Sequence, residues 1–74
     1  MLPERFKQAL VSQVQASIDR VGVDVLIEHA GHRAPGDAFI EAMREIDSTG
    51  VVASVFVSNR DEVCSIVNGM LGLM

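Results

Sequence analysis

The sequence predicts a small α/β domain with element order α-β-α-β-α, its two short strands parallel and joined by a helical crossover. Three observations carry that expectation. Residues 21–29, VGVDVLIEH, alternate apolar and polar side chains, the period of a strand with one dry face. Residues 51–57, VVASVFV, form an unbroken apolar run, as a strand buried on both faces does. Between them lies an amphipathic helical pattern, which suits a right-handed parallel connection. The alternatives are an α+β arrangement and a mostly α-helical chain in which 21–29 is itself helical, since LIEHAG ends acceptably at Gly31.

The first helix is expected over residues 3–20. Pro3 suits a first turn, and Glu4 favours the positive end of the helix dipole. Val11, Val14, Ile18 and Val21 recur at spacings of three and four, with Phe6 and Leu10 extending the stripe. The strand over 21–29 follows, with Val21, Val23, Val25 and Ile27 on one face; its β-branched content favours the extended form. Residues 29–36 are a loop. Residues 36–48 then carry the clearest helical pattern, with Ala38, Phe39, Ala42, Met43 and Ile46 in one stripe and Gly50 as a stop. The second strand spans 51–57. The last helix covers 60–73, with Asn59 and Glu62 spaced like a capping box.

A chain of 74 residues makes a single domain, and a core of this size supplies only roughly 3–5 kcal/mol beyond the entropy cost. Cys64 is the sole cysteine, so no internal disulfide is possible, and a lone thiol fits a reducing compartment. Two parallel strands make a poor isolated sheet, and VVASVFV at an open edge invites pairing. Completion of the sheet by a second copy is therefore expected. No apolar run reaches the length of a membrane span, and MLPERFKQ lacks the apolar centre of a secretory signal. The expectation is a cytoplasmic protein without a membrane partner. Net charge is −4, the six basic residues are scattered, and there is no Trp or Tyr to stack on bases; nucleic-acid binding is not expected.

The stretch EHAGHRAPGDA, Glu28 to Ala38, holds both histidines. On the strand assignment it lies at a carboxyl strand end, where open α/β sheets bind ligands. Gly31 and Gly36 have P-loop spacing, but Asp37 and Ala38 stand where a P-loop needs Lys and Ser or Thr, which excludes nucleotide hydrolysis. A weaker ligand site remains at His29, His32, Arg33 and Gly36, suited to an anion. His29 and His32 with Glu28 or Asp37 also make an incomplete ligand set for a transition metal; no metal or other cofactor is assigned. Cys64, beside the apolar stripe of the last helix, reads as a packing residue. No catalytic residue is identified.

The strong signals concern packing. Met70, Leu71, Leu73 and Met74 crowd the C-terminus and offer an adaptable partner surface. The sequence thus points to a small acidic, non-catalytic interaction module, such as an adaptor, inhibitor or regulatory subunit. It would act as a homodimer that can also bind another protein. The second reading is a small anion- or metal-binding domain built on the histidine loop. No stretch resembles a protein family closely enough to name one.

Overall fold

A computed structural model describes residues 1–73. Among them lie five helices and no strand: α1 (Glu4–Val21), α2 (Val23–Ala30), α3 (Pro35–Ile46), α4 (Val51–Ser58) and α5 (Arg60–Leu71). The expected α/β and α+β classes are both overturned. The helical alternative describes the chain, and it extends to 51–57 as well as 21–29. Helices α1, α3 and α5 occupy the three segments where the sequence predicts helices.

The alternation in 21–29 misleads because a helix can use the same residues. Val23, Leu26 and Ala30 fall at i, i+3 and i+7, one helical face. Ala30 is buried, and Val23 and Leu26 pack on the edge of the core. Of the four residues expected on a dry strand face, Val21, Val25 and Ile27 are exposed instead. Gly22 and Gly31 bracket the segment at φ 91° and 64°, a region that L side chains avoid, so the chain turns sharply at both ends of α2. Intrinsic β preference spans only about 1 kcal/mol, less than burying a helical face contributes.

The second strand fails for a different reason. Just before it, Asp47 Oδ2 accepts the Val52 amide at 2.8 Å, and Asp47 Oδ1 accepts the Thr49 amide and hydroxyl at 3.2 and 2.7 Å. Thr49 Oγ1 accepts the Val51 amide at 3.3 Å. Two amides of the first turn of α4, which no helical carbonyl can reach, are thereby satisfied. The helix then turns Ala53 and Phe56 inward, with Val52 and Val55 beside them. Val52, Ala53, Val55 and Phe56 thus face the core, while Val51 and Val57 stay 60 % and 43 % exposed, and no sheet covers both faces of the segment.

The core gathers Val14 of α1, Ile40 of α3, Phe56 of α4 and Val63, Val67 and Leu71 of α5. Phe6 meets Phe56 edge to face at 6.3 Å. Leu2 is buried, and its amide donates to Glu62 Oε1 at 2.8 Å, which ties the N-terminal segment to α5. That contact revises the expected capping box. Glu62 serves Leu2, and Asn59 Nδ2 donates backwards to the Val55 carbonyl at 2.8 Å, closing α4 rather than opening α5. Helices α3 and α5 share the most extensive helix–helix contact. Their crossing runs through Gly36, where an added Cβ would lie 2.7 Å from both Cα and Sγ of Cys64.

The radius of gyration, 11.4 Å, matches the about 11.3 Å of a compact chain of this length. The interior is thus assembled within one copy. With the strands gone, the case for a second copy based on an unfinished sheet falls too, and any such case must rest on exposed apolar surface.

Candidate functional site

Helix α3 is apolar on two sides. Gly36 and Ile40, one turn apart, are buried toward the rest of the bundle. Pro35, Ala38, Phe39, Ala42 and Ile46 form a second stripe at spacings of three and four. Helices α1 and α2 cover this second stripe only in part. They leave an open groove of about 240 Å³ whose floor is the α3 stripe and Met43. Leu26 and His29 of α2 form one wall, and Gln13, Ser17 and Arg20 of α1 the other. Phe39 and Met43 are half-buried at its base, while Ile46 at its end is 71 % exposed.

The electrostatics of the groove differ from those of the chain. Its polar rim consists of Gln13, Arg20 and His29, and no carboxylate lines it, although the net charge is −4. The acids stand just outside. At 100° per residue, Glu41 and Glu45 fall along one edge of the Ala38–Ala42 row, and both are exposed. Apolar surface also continues beyond the rim. Val21 follows Ser17 by one helical turn on α1, and Val25 precedes His29 by one turn on α2; they are 41 % and 49 % exposed.

The residues expected to bind a ligand are dispersed around this region. His29 lines the groove, and His32 is exposed in the α2–α3 turn. Arg33 forms an ion pair with Glu41, and its Nε donates to the Ala30 carbonyl at 3.4 Å. Gly36 is buried against Cys64. The backbone amides of Gly31 and Arg33 donate to the Glu28 and Ala30 carbonyls at 3.2 and 3.1 Å, so neither points freely at an anion. Among the described residues, no group of three or more His, Cys, Asp or Glu is placed to hold a metal ion. At the C-terminus, Leu71 is buried in the core, and Met70 and Leu73 pack against it. Met74, the fourth residue of the expected partner surface, lies outside the described residues.

A polar cluster sits on the opposite side of α3. Arg60 at the start of α5 donates through Nε and Nη2 to the two oxygens of Asp37, both at 2.6 Å. This bidentate pair holds the Asp37 carboxyl below its ordinary range, the hydrogen bonds from Arg60 being the main cause. The Cys64 thiol makes a long contact of 3.9 Å to Asp37 Oδ1. Burial first, and then the neighbouring negative charge of Asp37, pushes the thiol above its ordinary value. It stays protonated at neutral pH, the reverse of an activated nucleophile.

The sequence contains a signal for the groove. Gly36, Ile40 and Met43 repeat at i, i+4 and i+7 beside the obvious stripe of Ala38, Phe39, Ala42 and Ile46. Together they widen the apolar arc of α3 beyond what one neighbouring helix covers, while Asp37, Glu41, Arg44 and Glu45 keep the remaining arc polar. The contributions of Gln13, Ser17, Arg20 and Leu26 carry no such mark, because they depend on how α1 and α2 fold back along α3.

No helix among the described residues is long and apolar enough to cross a membrane. Comparison with protein families, with curated proteins and with solved structures finds no match to this chain.

Proposed function

We propose that this chain is a non-catalytic interaction protein that works as a homodimer, with the α1–α2–α3 groove as its binding surface. One observation carries the reading: a predominantly apolar groove stays open along a helix whose end residue, Ile46, is 71 % exposed. Beyond the groove, Val21, Val25, Val51 and Val57 add exposed apolar surface, at 41 %, 49 %, 60 % and 43 %. A non-catalytic role is supported by the state of Cys64, whose thiol is protonated beside a carboxylate already engaged by Arg60. The apolar groove favours a packing partner over a charged small ligand.

Replacement of Ile46 tests the reading. Ile46→Lys leaves the core intact, since the side chain is exposed, so helicity and melting temperature stay close to those of the parent chain. The association seen by light scattering across a dilution series is expected to weaken sharply. Parent and variant proteins that scatter identically as monomers at every concentration would refute it.

A further inference from the structure

We draw no further inference here: the strongest candidate, the cleft lined by Ala34 before α3 and by Arg60, Cys64 and Asn68 of α5, rests on a lone cysteine, since Arg60 is already engaged by Asp37 and the unpartnered Asn68 Oδ1 is sealed from solvent.

Discussion

Replacing Gly36 and Gly69 by alanine in turn should change stability in opposite directions. Both glycines lie inside helices, α3 and α5, so helix propensity predicts that alanine stabilises each by up to about 1 kcal/mol. Their surroundings decide otherwise at Gly36. The new methyl would lie 2.7 Å from Cα of Cys64, and a backbone atom cannot rotate away. Helix α3 must then move off α5 along the most extensive helix–helix contact in the molecule. Overpacking of this kind costs about 1–3 kcal/mol. Contact with backbone favours the upper end, and subtracting the propensity gain leaves a net loss of roughly 2 kcal/mol. That is a large share of the roughly 3–5 kcal/mol available to a domain of this size. It corresponds to a fall of roughly 8–16 °C in melting temperature. At Gly69 nothing lies within 4 Å of the added methyl, so Gly69→Ala should raise stability by about 0.5–1 kcal/mol. Urea titration followed by circular dichroism measures both. Protein concentration must be matched, because the proposed assembly would add to apparent stability. If Gly36→Ala is as stable as the parent chain, the close approach of α3 and α5 is wrong, and with it the position of the groove on the other side of α3.

Phe56→Ala removes a ring that is 1 % exposed and stacked edge to face on Phe6; the cost of about 3–5 kcal/mol approaches the whole stability, so the variant should be largely unfolded by circular dichroism at 25 °C. The Asp47 carboxyl is held below its ordinary range by the Thr49 hydroxyl and then the Val52 amide, so it contributes stability above the unfolded value of about 3.9 that is lost as pH falls through the lower folded value. Asp47→Asn should flatten that acid limb of the stability–pH curve, and an unchanged limb would remove Asp47 from the start of α4. Asp37→Asn removes the negative charge that helps hold the Cys64 thiol protonated, so the pH at half-maximal alkylation of Cys64 should fall; no change would show that burial alone sets the thiol.

Much of the fold was legible where one helical face dominates. The stripes of α1, α3 and α5 repeat over at least three turns, and no strand pattern competes with them. The two short helices were not legible for reasons that differ. In 21–29 a period of two and a period of 3.6 both fit nine residues, and the deciding feature, Ala30 reaching the core, depends on contacts made elsewhere in the chain. In 51–57 the apolar run carried no period at all. The deciding signal is the preceding DSTG, whose Asp47 and Thr49 are placed to satisfy the amides of a helix start; Gly50 by itself marks only the end of α3. The site divides the same way. His29, a loop candidate by sequence, lines the groove from the end of α2. By sequence Gly36 belongs to a candidate anion-binding loop, whereas the fold uses it for close packing against Cys64. The rest of the groove is made by three helices meeting, which spacing along one helix does not reveal.

The central claim is the proposed self-association of the chain through the groove on α3. Sedimentation equilibrium of the untagged protein over a wide dilution series measures this directly. The account predicts a mass near twice the 8.0 kDa of one chain at high concentration, falling toward a single chain on dilution and doing so at higher concentration for Ile46→Lys. A parent chain that sediments at the single-chain mass at every concentration would contradict it.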